Sequence, residues 1–145
     1  MPRILFALAL AAYAGEAVAS DSAAGLWAQV DDASGRIRTE VRIVERDGVY
    51  SGRIVRFNPE PDEPPNPLCE ACPGHLHNRP IVGLTFLRGF RRAGPVYSGG
   101  LLLDPESGST YQGTMTLSDD GRSLVLRGYV VSPLFGRSQV WRRLD

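Results

Sequence analysis

The sequence predicts an all-β protein, an eight-stranded antiparallel up-and-down barrel, with a two-sheet sandwich as the second architecture. Three observations predict it. Short segments rich in Val, Ile, Tyr, Thr and Leu recur along the chain, Asp- and Gly-containing turn signals separate them, and no later stretch holds a helical period over three turns. Strands that follow one another through tight turns form a meander, and closing a meander on itself removes its exposed edges.

The first nineteen residues precede the barrel. Arg3 leads into the apolar run ILFALALAAYA at 4–14, and Ala17-Val18-Ala19 forms a small-residue site before Ser20. This is the layout of a secretory signal peptide, and a core helix this short with these flanks is the weaker alternative. A single β-barrel domain over 20–145 is expected, exported to the periplasm or secreted. No later run is apolar for long enough to be a membrane anchor. The 16 basic residues, all Arg, balance 16 acidic ones, which leaves no electrostatic footprint for nucleic acid and no basic stripe for an anionic membrane.

Strands are expected near 25–30, 36–46, 48–56, 82–89, 97–103, 109–117, 123–131 and 138–144. Asp32-Ala33-Ser34-Gly35, Asp47-Gly48, Asp104-Pro105-Glu106-Ser107-Gly108 and Asp119-Asp120-Gly121 punctuate them, and Asp-Gly favours the primed turns of tight hairpins. The sixth strand alternates as a half-buried strand must: Tyr111, Met115 and Leu117 face one way, and Thr110, Gln112, Thr114 and Thr116 the other. In the seventh, Leu124, Leu126 and Val130 oppose Arg127 and Tyr129. Gly52, Gly83, Gly99, Gly100, Gly113 and Gly128 fall inside strand patterns, where glycine marks a bulge or a bent barrel strand.

The segment 58–80 breaks this rhythm. It carries no alternation, much of the chain's proline, and the stretch PLCEACPGHLHNRP with both cysteines and both histidines. So long a structureless connection in a compact domain is functional or disordered.

Several features together resemble the bacterial family known as domain of unknown function 2147. They are Gly25-Leu26-Trp27; Gly52-Arg53-Ile54; Cys69-x-x-Cys72-Pro73-Gly74 followed by Pro80 and Gly83; and Gly99-Gly100 leading into Asp104-Pro105, Gly108 and Tyr111. Arg127-Gly128-Tyr129 and Gly136-Arg137-x-x-x-Trp141-x-Arg143 complete the pattern. The resemblance implies an exported, lipocalin-like barrel of unassigned biochemical role. Gly25-x-Trp27 with an Arg in the last strand is also similar to the lipocalin signature, which implies a guanidinium across the indole at the closed end. A cation over an indole face gains roughly 0.5–2 kcal/mol. Arg143, with Arg142 as the alternative, is the expected partner, and Gly25, Trp27, Trp141 and Arg143 form the expected barrel-closing set.

No catalytic motif is present: no G-x-S-x-G elbow, no H-E-x-x-H and no Walker loop. The pairs Asp31-Asp32 and Asp119-Asp120 lie at turn signals, where Asp caps local backbone. An enzyme is not expected, and no cofactor is implied. Cys69 and Cys72 admit three readings. A redox dithiol belongs at a helix N-terminus, which this all-β context lacks. A metal site would add His75 and His77 to the two thiolates, although the resembled family pattern holds the cysteines without the histidines. A Cys69–Cys72 disulfide is favoured by export, which exposes thiols to oxidation.

An eight-stranded barrel is just wide enough either to be filled by side chains or to hold one small ligand. The candidates to line it are Trp27, Val41, Ile43, Tyr50, Ile54, Leu84, Phe86, Leu101, Leu103, Tyr111, Met115, Leu124 and Leu126; Trp27, Tyr50, Ile54, Phe86, Tyr111, Met115 and Leu126 are those expected to touch a ligand. The expectation is a small, largely apolar ligand under a lid formed by 58–80. The alternatives are an envelope interaction module with a filled barrel, using loops such as 58–80 and 133–137, and an envelope metal binder using Cys69, Cys72, His75 and His77.

Overall fold

The computed structural model describes residues 21–145; the expected signal peptide lies outside the described residues. Eight strands run in chain order around a closed antiparallel barrel: β1 (Gly25–Val30), β2 (Ile37–Arg46), β3 (Val49–Phe57), β4 (Thr85–Ala93), β5 (Val96–Leu103), β6 (Thr110–Leu117), β7 (Ser123–Tyr129) and β8 (Arg137–Arg143). Closure is made by β1 against β8, with Trp27 opposite Arg143 and Gln29 opposite Trp141. Every strand therefore has two neighbours, and no edge is left to recruit a foreign strand. Short 3-10 turns interrupt two connections, at Gly74–Leu76 and Pro133–Phe135.

The local chemistry follows the residue types. Between β2 and β3, Asp47 and Gly48 both take positive φ, 52° and 79°, as a two-residue primed hairpin requires. In β6, Gly113, Met115 and Leu117 turn inward while Thr110, Gln112 and Thr116 face solvent, so period-two patterning is realised directly. Trp27, Val41, Ile43, Leu87, Phe90, Tyr97, Met115, Leu124 and Trp141 form the buried core.

Three expectations are corrected by position. Leu101, expected inside, is 47% exposed, because Gly99 (φ 76°) sits in a register shift between Tyr97 and Gly100. That bulge moves the inward series from Tyr97 to Gly100 and Leu102 and turns Leu101 out, while Leu103 at the strand's end is buried as well. The fourth strand runs to Ala93 instead of ending near 89, since Gly94-Pro95 makes the hairpin, and Gly83 lies before the strand rather than within it. Val130, expected on the inner face of the seventh strand, lies past its end and is exposed.

The strand glycines make room more than they bend the chain. A Cβ on Gly100 would come within 2.3 Å of the Phe90 ring, and one on Gly113 within 2.9 Å. Phe90 thus packs down over β5 and β6 only because those neighbouring strands present bare backbone beneath its ring. Density of this kind leaves no slack for added methylenes.

Candidate functional site

The two ends of the barrel differ. One end, carrying the 47–48, 94–95 and 118–122 turns with residues 21–24 and 144–145, is packed shut. Arg143 lies over the Trp27 ring with its guanidinium carbon 4.4 Å from the centroid. Its Nε donates to Gly121 O at 2.7 Å, its Nη1 to Ala24 O at 3.1 Å, and its Nη2 to Ser22 O. Trp27 Nε1 donates to Ala23 O at 2.9 Å, and the Ala23 N–H donates to the Tyr97 hydroxyl at 2.9 Å. Tyr97 in turn meets Tyr50 edge-on, with centroids 4.7 Å apart. Gly25, at φ 148°, leaves the space the guanidinium occupies, since a Cβ there would lie 2.4 Å from Arg143 Nη1. A buried cation is tolerated here because backbone carbonyls surround it and the Asp145 carboxylate lies 3.5 Å from its Nη1.

The other end opens into a cavity of about 1210 Å³. Its floor is apolar: Ile54, Phe86, Leu103, Leu126 and Trp141. Trp141 is only 1% exposed, lies 6.0 Å from the Phe86 ring, and donates its indole N–H to Gln139 Oε1 at 3.2 Å. Above the floor the walls turn polar, with Gln29, Thr39, Tyr111, Tyr129, Arg137 and Gln139, and the mouth is charged, with Asp31, Arg38, Glu63, Glu70, Asp104 and Glu106. An apolar base beneath a few convergent polar groups is the common constitution of a small-molecule site.

Of the seven residues expected to touch a ligand, Ile54, Phe86, Tyr111 and Leu126 line this cavity. Trp27, Tyr50 and Met115 do not: they are buried outside it, Trp27 and Tyr50 in the packed end, which corrects their assignment. Trp141 moves the opposite way. Expected in the barrel-closing set, it does stand in the closing seam opposite Gln29, and it also floors the cavity. Arg137 and Gln139, not anticipated as lining, were legible by parity, because they share a face of β8 with Trp141 and Arg143.

The 58–80 segment shapes the rim and is not structureless. Leu68 and Pro80 form an isolated bridge; the Cys69 N–H donates to Arg79 O at 2.7 Å, and the Ile81 N–H to Pro67 O at 2.9 Å. Cys69 and Cys72 are joined in a disulfide, Cα atoms 5.3 Å apart, and both are buried in the core cluster. Cys69 Sγ lies 3.5 Å from Pro105 O, and the Ala71 carbonyl packs so closely on Gly108 that a Cβ there would sit 1.8 Å from its oxygen. The clamp therefore seats the segment on the β5–β6 hairpin. Glu63, Pro64, Pro67, Leu68, Glu70 and Ala71 all face the cavity mouth.

A second anchor joins the segment to β2. Arg38 Nη2 donates to both carboxylate oxygens of Glu63 at 2.9 Å, its Nη1 donates to Asn58 O at 2.7 Å, and its guanidinium stacks 5.1 Å from the Phe57 centroid. The Glu60 backbone N–H, then the Arg38 guanidinium, hold the Glu63 carboxyl below its ordinary value. The Ser34 backbone N–H and then its hydroxyl hold Asp31 down in the same way, an Asp capping its own turn.

The four candidate metal donors do not converge. The two sulfurs are spent in the disulfide and buried, whereas His75 and His77 are exposed. His75 opens onto a separate recess of about 430 Å³ beside Arg79 and Arg88. Among the described residues no group of three or more His, Cys, Asp or Glu side chains is placed to hold a metal ion.

A family model described as "Uncharacterized protein conserved in bacteria (DUF2147)" matches residues 25–143. No curated protein matches the chain. Among solved structures, it is similar to one reported as "Protein HP1028 from the human pathogen Helicobacter pylori belongs to the lipocalin family", at a TM-score of 0.72 and 20% identity. The likeness covers 87% of this chain and 85% of that one. At this identity it bears on the fold alone.

Proposed function

The chain belongs to the uncharacterized bacterial family DUF2147, and from that starting point we propose that it binds a small, largely apolar molecule in the open half of the barrel. The observation that carries the reading is the cavity of about 1210 Å³ floored by Ile54, Phe86, Leu126 and Trp141 and walled above by polar groups. Burying apolar ligand surface on such a floor is worth roughly 25 cal/mol per Å² before the costs of association. The polar walls orient the ligand: an apolar body sits on Trp141, and a polar end meets Arg137, Gln139 and Thr39. The protein is on this reading a carrier and not a catalyst, acting outside the cytoplasm, where an exported chain keeps Cys69–Cys72 oxidised.

Uptake of an environment-sensitive apolar fluorophore tests it. Saturable one-to-one uptake, with competition by long-chain carboxylic acids or alcohols, is the expected result. Absence of uptake at micromolar protein, together with native mass spectra free of any retained small molecule, would sink the reading.

A further inference from the structure

Three of the rim loops are polar, and one is not. The β1–β2 turn, the 58–66 part of the lid and the 104–109 turn carry Asp, Glu, Ser and Arg, whereas the β7–β8 connection reads Val130-Val131-Ser132-Pro133-Leu134-Phe135. Val131, Leu134 and Phe135 are 88, 84 and 85% exposed. We propose that this tip is the point at which the protein docks on a lipid bilayer surface, the apolar ligand passing between the bilayer and the barrel across it.

Three features commit the tip to lipid. First, it is small. Its three side chains offer roughly 400–500 Å², about half of the roughly 800 Å² per partner that a stable protein interface covers. A bilayer needs no matched shape, only apolar depth. Second, the tip meets part of its own polar needs. Ser132 Oγ accepts from the Leu134 N–H at 3.3 Å, Ser132 O accepts from the Phe135 N–H at 3.0 Å, and Pro133 O accepts from Arg127 Nε. Backbone groups already paired lower the cost of entering an apolar medium. Third, the tip is continuous with the cavity. Val130, Phe135 and Gly136 belong to both, so the apolar tip opens directly into the mouth of the cavity that Trp141 floors.

Charge supports the orientation without supplying the attraction. Arg127 and Arg137 stand at the base of the tip, level with headgroups once its apolar residues are immersed. With 16 basic against 16 acidic residues in the whole chain, no net field draws it to a membrane. Docking is then driven by apolar burial and is insensitive to salt.

The transfer role rests on the cavity reading above, and the test separates the two. Flotation of the full-length mature protein with phosphatidylcholine vesicles is measured for the wild type, for V131S/L134S, and for V44S, which removes an exposed apolar side chain at the packed end. Neither tip substitution touches the cavity lining, and both side chains are exposed, so melting temperature and fluorophore uptake without vesicles are expected to stay unchanged. The wild type and V44S should float equally at low and high salt, and V131S/L134S should lose about tenfold or more of its partition coefficient. A wild type that takes up fluorophore yet does not float, or a tip variant that floats as the wild type does, overturns the docking proposal alone. Tip-dependent flotation without any uptake keeps the docking surface and removes the cavity reading and the transfer role with it.

Discussion

Arg143 is the residue on which the packed end converges, because one guanidinium stacks on Trp27 and supplies donors to three carbonyls from separate segments of the chain. Removing it leaves Ser22 O, Ala24 O and Gly121 O without that donor and strips one face of the indole. Arg143→Ala should cost about 2–4 kcal/mol in urea unfolding. Arg143→Lys should recover less than half of this, since an ammonium cannot span the same carbonyls and lacks the flat face that stacks. The pairing was legible only through the resemblance of Gly25-x-Trp27 and a last-strand Arg to the lipocalin signature, since the two residues lie at opposite ends of the barrel sequence and no local pattern joins them. Trp141 was not so legible. It shares a face with Arg143, and parity says nothing about height along the barrel axis.

Between single residues and the whole barrel, two elements invite substitution. In β5, Gly100→Ala would place a Cβ 2.3 Å from the Phe90 ring, and overpacking of about 1–3 kcal/mol is expected in thermal or chemical unfolding. Adding Phe90→Leu should return part of that loss, a coupling a double-mutant cycle reads directly. In the lid, the Glu63 carboxyl titrates below its ordinary value of 4.5 in the folded protein. A depressed folded pKa contributes stability that is complete above the unfolded value and is lost as pH falls through the folded one. The gap in melting temperature between the wild type and E63Q should therefore be present at neutral pH and shrink below about pH 4.5. A gap that widens on acidification would show that the Arg38–Glu63 contact does not hold the lid. This anchor was hidden in the sequence, since Arg38 and Glu63 are far apart in the chain and each stands among ordinary charged neighbours.

At the scale of the whole molecule, the question left by an eight-stranded barrel was whether its interior is full or open. Both answers are present in one molecule: Phe90, Tyr97 and Trp27 pack one half, and the other half holds the cavity above Trp141. Gln139→Trp should fill that space from an exposed position on the cavity wall, lowering fluorophore affinity about tenfold, at a modest cost in melting temperature because the Trp141 indole N–H loses its acceptor. Unchanged affinity would place the ligand elsewhere. What the amino-acid order determined by itself was local: strands from alternating apolar residues, hairpins from Asp-Gly, and a rim segment from clustered prolines. These depend on contacts a few residues apart, so the signal is written where it acts. Only the tertiary structure decided which inward residues plug the barrel and which line its cavity, and that the Gly99 bulge turns Leu101 out. Depth along the axis is set by strand register and by the pairing of β1 with β8, which joins residues from opposite ends of the chain, and no local pattern encodes either.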